Sequence, residues 1–574
     1  MVERRAAMNE EEKAVFLTED YMDFIIDYRN NPEVLDQFNN YIVHIMNDDF
    51  AIIHIPISML NINTISSFGY STIPHLFGLV SEISLQASRV NLVRTIPTLN
   101  LRGQGILLAC IDTGIDYTNP IFMRPDGTSK IRAIWDQTIQ TPDGYPYNTL
   151  FGTEYRQEQI NNALESENPL DIVPSIDENG HGTMLAGVMA GNTVSAEGFS
   201  GVVPDAELVV VKLRPAKNNL KDFFSVPEDV LCYQENSIMW GIHYCILLAR
   251  ELGQPMVICI GLGSSQGSHE GLDPLGFYLS ILSNYHNIVI ITSAGNEGGL
   301  GRHYRGIIDP LIGYDTIELN VGEADQGFSM EIWGDSPGIY SIDILSPSGE
   351  YIPRITTSLV LNRVVTFIFE DTVIFIHYHT VESDTGDQLI LLRFRNPAEG
   401  IWRFNIYGQG DLARGFNAWL PMDGMLSTQT YFLQPDIYTT ILGPGDVDSI
   451  ITVTAYNPSG GNLYVNASRG FTRNNRPKPD FAAPGVNYIA PDLEQSFITY
   501  SGTGVSAAHT AGIAAMLLEW GSIRGSYPDM NTIEAKKFLI RGARRSSNQV
   551  YPNRDWGYGI LDIYNTFDIL RQDQ

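Results

Sequence analysis

"TYSGTGVSAAHTAG", residues 499–512, decides how this chain is organised. An extended polar segment turns at Gly502 into the helix "AAHTAGIAAMLLEWG". That strand-to-helix frame is the kind that presents a reactive hydroxyl, yet the residue at the presenting position is Gly504, which has no side chain. Just upstream, "SIITVTAYN" reads as a strand and "KPDFAAPGV" as the loop leading back to the turn.

Upstream of residue 312 the same alternation of strand, loop and helix is already running. "ILLACIDTGID" is a buried strand ending in a turn, "GHGTMLAGVMAG" opens a helix, and "AELVVVKLR" is a further strand. "NSIMWGIHYCILLARELG" is a helix stopped by Gly, and "PMVICIGLG" and "NIVIITSAGNEGG" are two more apolar strands. Strands apolar on both faces that alternate with helices predict a parallel sheet covered by helices. Between about 312 and 436 the pattern switches to short strands such as "TIELNVGE", "FSMEIWGD", "TVIFIHYHTVE" and "GIWRFNIYG", separated by Gly, Pro, Asp and Ser turns. That stretch predicts an all-β sandwich or jelly-roll module inserted into the α/β domain. Residues 1–70 predict a small α+β unit: "EEEKAVFLTEDYMDFIIDYRNNPEVLDQF" carries helix formers, and "NYIVHIMNDDFAIIHIPISML" carries two strands split by the turn "NDD". "SSFGYSTIPHLFGL", at 66–79, is rich in Gly, Ser and Pro and reads as a linker. The expected division is therefore 1–72, 73–311, 312–436 and 437–574.

The chain has 574 residues, enough for two or three domains, and its 44 % hydrophobic and 18 % charged content is that of a folded protein. A net charge of −30 argues against a nucleic-acid or anionic-membrane partner, whose binding depends on clustered Lys and Arg. The opening "MVERRAAMNEEEK" has no apolar stretch behind its basic residues, so no secretory leader is expected, and no apolar run is long enough to span a bilayer. Cys110, Cys232, Cys245 and Cys259 sit apart in apolar contexts and read as buried free thiols, which points to a reducing compartment.

Three segments place polar side chains where strands or turns end. Asp112 closes "CIDTGID", where a carboxylate can hold a histidine Nδ1–H and stabilise an imidazolium. His181 stands between glycines at a helix start, and Asn296 follows a strand in "SAGNEGG", where its amide can donate to a developing oxyanion. Each alone is weak: strands often end in Asp, a helix-start His is often structural, and Asn suits a Gly-rich turn.

Together, and in this order, these segments resemble the subtilisin-like serine protease family, the subtilases. "IDTGID", "GHGT", "SAGNEG", "KPDFAAPGV", "SGTGVSAAHTAG" and "WGYGILD" carry the resemblance, over roughly 100–310 and 437–574. It implies that Asp112 orients, His181 is general base, Asn296 donates to the oxyanion, and Gly261, Leu262 and Gly263 pair with an extended substrate strand. A narrower resemblance, in "YSTIPHLFGL", "IGLGSSQGSHEG" and "MLLEWG", is to the clostridial germination proteases of the Csp type. It implies an N-terminal prodomain over 1–72, an inserted jelly-roll, and a group in which some members cut and others sense germinants. The implied location is cytoplasmic or spore-associated.

By the family's pattern the nucleophilic serine lies five residues before His509, which is Gly504. Ser506 is rotated from that position by about 200° at 3.6 residues per turn, and Ser501 precedes the helix, so neither replaces it. The chain therefore reads as a pseudoprotease with a sensing or regulatory role, its prodomain uncleaved and part of 64–75 lying in the cleft as a pseudosubstrate. The second reading is an active endopeptidase whose serine has been changed to glycine. Its partners would be an extended peptide or its own prodomain segment, another germination protease, or a small-molecule germinant. No cofactor is implied. Calcium fits the acidic surplus and the family's habits, but no EF-hand-like loop is written, and His269 in "GSHEG" reads as a loop residue rather than a metal ligand.

Overall fold

A computed structural model describes residues 15–61, 63–79, 88–96, 99–142, 144–147, 149–356, 360–410, 412 and 415–572. Three strands come first: β1 (Tyr21–Asp27), β2 (Ile42–Ile45) and β3 (Phe50–Pro56) form an antiparallel sheet in the order β1-β3-β2. β4 (Leu76–Leu79) follows. The α/β unit then supplies β5 (Leu107–Asp112), β6 (Ile131–Asp136), β7 (Thr153–Arg156), β8 (Glu207–Lys212), the two-residue β9 (Tyr233–Gln234), β10 (Met256–Ile260), the two-residue β11 (Leu262–Gly263) and β12 (Ile288–Ser293). Strands β13 to β23 lie between His303 and Phe432, after which β24 (Ile451–Tyr456) and β25 (Phe481–Pro484) rejoin the α/β unit.

The central sheet has the order β25-β24-β12-β10-β5-β8-β6-β7 and is parallel except for the β6–β7 edge. Its strands are apolar throughout because successive residues feed two separate cores. Leu108, Cys110, Val257, Cys259 and Ile291 face one core with helices α1 (His181–Ala190) and, from the end of the chain, Thr503–Leu518. Leu107, Ala109, Ile111, Ile258 and Ile290 face the other, against α2 (Glu235–Leu252) and α3 (Pro274–Leu282). The helix Thr503–Leu518 is α4 hereafter. All four cysteines are free and buried.

The inserted strands form two antiparallel sheets, of six and five strands, with one core between them. The six-stranded sheet uses both faces. Ile390, Leu392 and Phe394 point into the core between the sheets, while Leu389 and Leu391 join Phe24, Ile53 and Leu76 in a core shared with the N-terminal sheet. The first strand of this module is His303–Ile307, paired with Gly415–Trp419.

Two local expectations fail at the N-terminal end. "YMDFIID", read among helix formers, is a strand: its pairing with Phe50–Pro56 and its alternate burial on two cores override the helical propensity of its neighbours. The supposed linker ends in β4, whose backbone is taken up by pairing partners that composition cannot show. The expected helix formers before residue 15 lie outside the described residues.

One buried carboxylate ties the N-terminal sheet to the α/β unit. Asp23 accepts from His54 Nδ1 (2.8 Å), Lys217 Nζ (2.8 Å), Gln234 Nε2 (2.8 Å) and Asn236 Nδ2 (3.1 Å), with Arg214 at 3.4 Å. Burial pushes the Asp23 carboxyl up, but Lys217, His54 and Arg214 outweigh it and hold it well below its ordinary value. Asp23→Asn leaves two buried cations facing an amide, so it is expected to cost about 3–5 kcal/mol, read by urea unfolding of the full chain.

His54 also shares a ring-to-ring hydrogen bond with His44 (2.8 Å). Burial holds the His54 imidazole below its ordinary value; Asp23 opposes this and Lys217 and Arg214 add to it. The folded chain therefore binds fewer protons there than the unfolded one. This contribution to stability is full above about pH 6.5 and is lost as the pH falls. The stability difference between the parent and His54→Gln, measured by urea unfolding, is expected to be nearly constant from about pH 8 to 7 and to shrink as the pH falls below about 6.5.

Candidate active site

The candidate residues gather at the carboxyl edge of the central sheet. Asp112 is the last residue of β5 and is fully buried, and its Oδ1 accepts from the Thr113 N–H (2.8 Å). His181 is the first residue of α1, and its Nδ1 meets the same Asp112 Oδ1 at 2.7 Å. The approach is possible because Gly182 has no side chain: a Cβ there would sit 2.2 Å from the Gly114 carbonyl oxygen. The turn before the helix is built on Asp177, which accepts from the Asn179, Gly180 and Thr183 N–H groups, and Gly180 takes a φ of +92° that favours glycine.

Gly261, just past β10, forms the floor under this pair. A Cβ on it would lie 2.5 Å from Leu185 Cδ1 and 3.2 Å from both Asp112 Oδ2 and His181 Cε1. Asn296 follows β12 through Gly295, whose N–H donates to Thr503 Oγ1 (3.0 Å). The Asn296 Oδ1 accepts from the Thr503 N–H and hydroxyl, both at 3.2 Å, which turns its amide nitrogen the other way. Thr503 is the residue before Gly504, so the same side chain fixes Asn296 and the first turn of α4. Gly504 itself is buried in that turn.

Both alternative serines are committed elsewhere. Ser506 donates to the Ala483 and Pro484 carbonyls (3.2 and 3.1 Å), and Ser501 Oγ accepts from the Asn487 N–H (3.2 Å). His509 is fully buried, meets the Ser88 hydroxyl, and is pushed down to about 3 by burial. His269 is in a loop, as expected, but buried: its ring lies on Trp419 (centroids 4.1 Å apart) with Nδ1 and Nε2 against the Ile441 and Ser265 carbonyls.

The strand site beside these residues is filled by the chain itself. β4 lies antiparallel to β11, with Leu79 opposite Leu262 and Gly78 opposite Gly263. On its other edge Leu76 pairs with Gln234 and Phe77 with Tyr233. The segment expected to lie in the cleft was 64–75; the paired residues are 76–79. Those earlier residues instead form the helices Thr64–Phe68 and Tyr70–Thr72 and the His75–Glu235 contact, where Glu235 caps the His75 N–H (3.0 Å). Gln266 Oε1 accepts from the Leu76 N–H (2.7 Å). The second edge, Tyr233–Gln234, and the anchors Asp177 and Thr503 were not singled out from sequence. Thr503 alone had a signal there, since it lies inside the opening motif.

This arrangement has a counterpart among known proteins. The profile of the Subtilase family matches residues 103–313 and 436–559. The chain belongs to the subtilase family. The structure of the Clostridium perfringens CspB protease superposes with a TM-score of 0.74 at 30 % identity, covering 85 % of this chain and 99 % of that one. C5a peptidase of Streptococcus pyogenes serotype M1 is 22 % identical over 513 residues, covering 82 % of this chain. Serine protease AprX of Bacillus subtilis is 32 % identical over 147 residues, or 22 % of this chain. The chain spans 40 % of the length of the former and 31 % of the latter. The subtilase family member described here has, among its described residues, no helix long and apolar enough to cross a membrane.

Gly261→Ala tests how closely this subtilase site is packed. The added methyl must displace Leu185 and press on the imidazole, so a loss of about 1–3 kcal/mol is expected. Urea unfolding measures it, and a shifted His181 ring resonance in NMR would place the strain at the Asp112–His181 pair.

Proposed function

We propose that this chain is a pseudoprotease: a subtilisin-like scaffold that holds an extended segment without cutting it and serves a sensing or regulatory role in spore germination. The observation that carries this reading is β4, paired on both edges beside Asp112 and His181, in a chain with glycine at 504. In this reading residues 1–72 and the strand that follows act as a prodomain that is never released. The inserted β-module is a jelly-roll that braces it, and the protein works in the cytoplasm or spore with a germination protease or a small-molecule germinant as partner. The likeness to CspB and to the Csp-type germination proteases supports the setting.

The roles follow from the geometry. Asp112 would fix the His181 tautomer through Nδ1 and stabilise the imidazolium after His181 Nε2 takes a proton. Asn296 and the N–H of residue 504, at the positive end of α4, would receive the oxyanion. Backbone groups of Gly261 to Gly263 would hold the segment to be cut. What the chain lacks is the oxygen that attacks. Removing a serine nucleophile from such a site costs about 10⁶ in kcat, and the committed hydroxyls of Ser501 and Ser506 do not restore it.

A second reading, an active endopeptidase carrying a Ser-to-Gly change, is favoured by the intact 2.7 Å Asp112–His181 contact. Gly504→Ser separates the two. If only the nucleophile is missing, the variant takes a fluorophosphonate label and loses its N-terminal segment by intact mass, while the parent does neither. If the variant stays whole and unlabelled, the site has decayed beyond one residue and the endopeptidase reading fails. Release of the N-terminal segment by the parent, made free of other proteases, would overturn the pseudoprotease reading.

A further inference from the structure

On the side of the molecule where the three parts meet lies an open pocket of about 650 Å³. Its walls come from all three: Phe38 and Phe68 from the N-terminal unit, Leu272 and Phe277 from the loop and first turn of α3, and Ser383 and Asp384 from the β-module. Ser71, Leu272 and Asp384 also line a second, inner recess of about 20 Å³, room for one water-sized group. Tyr70, His75, Asp273, Trp333 and Glu382 complete that recess.

The carboxylates there have no ion-pair partner. Among the described residues no Lys or Arg is ion-paired with Asp273, Glu382 or Asp384: Arg29, which acts on Asp384 only at a distance, is bonded to Asp27 (2.9 Å) and lies over the Phe277 ring, and Arg473, over the Trp333 ring, is paired with Glu270, Asp335 and Asp387. Glu382 is spent on its own loop, accepting from the Asp384 and Thr385 N–H groups and the Ser383 hydroxyl. Asp384 keeps an exposed edge, but partial desolvation first, and then Glu382, Asp273 and Asp27, push it up to about 6 against a hydrogen bond from Ser71. His75, only 3 % exposed, has its Nε2 buried without a hydrogen-bond partner.

We propose that this junction is a binding site for a small primary ammonium with an apolar body. The ammonium occupies the inner recess between His75 Nε2 and Asp384, and the apolar body lies outward against Phe38, Phe68 and Phe277. A water in the recess would satisfy His75 but not the uncompensated carboxylates. A metal ion is disfavoured because, among the described residues, no three His, Cys, Asp or Glu side chains converge to hold one. A primary ammonium is water-sized, carries the missing positive charge and offers three N–H donors to the acceptors present. An outer chamber of this volume, aromatic on several sides with a few fixed polar groups, is the usual build of a small-molecule site at a domain junction. Because the walls belong to three parts, occupancy also favours the docked position of the N-terminal unit.

The test uses the full chain with phenethylammonium and n-hexylammonium as probes, against 2-phenylethanol and 3-phenylpropanoate, by isothermal titration and thermal unfolding. At least one ammonium is expected to bind at least tenfold tighter than the alcohol and to raise Tm, with no saturable binding of the carboxylate. Asp384→Asn is expected to abolish that tenfold preference while its own Tm stays equal to or above the parent's, since it removes a repelled carboxylate. The retained Tm separates lost binding from misfolding, and Phe277→Ala is expected to weaken every probe about equally. Failure of both ammonium ions to bind, equal binding of the alcohol, or a preference that survives Asp384→Asn overturns the proposal.

Discussion

The cleft of this subtilase is a complete structure only when β4 is in it. Strands β9 and β11 are two residues each, and a pair of such fragments has no stability as a sheet alone. β4 gives each of them its partner. Its side chains split as strand geometry demands: Leu76 enters the core shared with the β-module and Phe77 the core under α2. Gln234 then links this segment to the rest of the N-terminal unit, since it pairs with Leu76 and donates to Asp23 on β1. Occupancy of the cleft and docking of the N-terminal sheet thus share one residue.

The Asp112–His181 pair does not depend on residue 504 for its position. It is set by the end of β5, by the missing side chains of Gly182 and Gly261, and by the Asp177 turn. Asn296 is set by Thr503. Each anchor is backbone or a residue other than 504, so a glycine at 504 leaves the surrounding geometry standing. In the proposed pseudoprotease reading, that independence lets the site keep its polar framework without a nucleophile.

The central sheet was legible in the sequence because its strands are buried on both faces, which writes them as unbroken apolar runs, and because helices α1 and α2 end in glycine. Asp112 and His181 could be singled out because one closes a strand and the other opens a helix, and Asn296 because it stands in the glycine-rich turn after a strand, positions that short motifs record. β4 was not, since "HLFGL" has the composition of a connection and becomes a strand only through backbone pairing to residues about 155 and 185 positions away. β1 was hidden for a related reason: "YMDFIID" serves two cores at once, and only the tertiary structure shows the second. The burial of His269 under Trp419 was likewise beyond reach, because its stacking partner lies in the inserted module.

The polar groups between the three parts are placed where apolar contact would have sufficed for adhesion. Glu331 of the β-module, pushed up to about 7 by burial, accepts from the Tyr70 hydroxyl, the Gly267 N–H and the Trp333 indole (3.0 Å for the last two). Tyr70 is in the segment leading to β4, and Gly267 is in the loop after β11. A carboxyl meeting donors from three directions accepts few alternative geometries, whereas the apolar core beside it tolerates sliding. Where the N-terminal unit stays attached, as proposed above, the tether already keeps that unit at high effective concentration. Affinity is then not what the buried polar contacts must supply. Their contribution is register: they fix which residues of the tethered segment lie opposite Leu262 and Gly263, and so which part of the chain occupies the cleft.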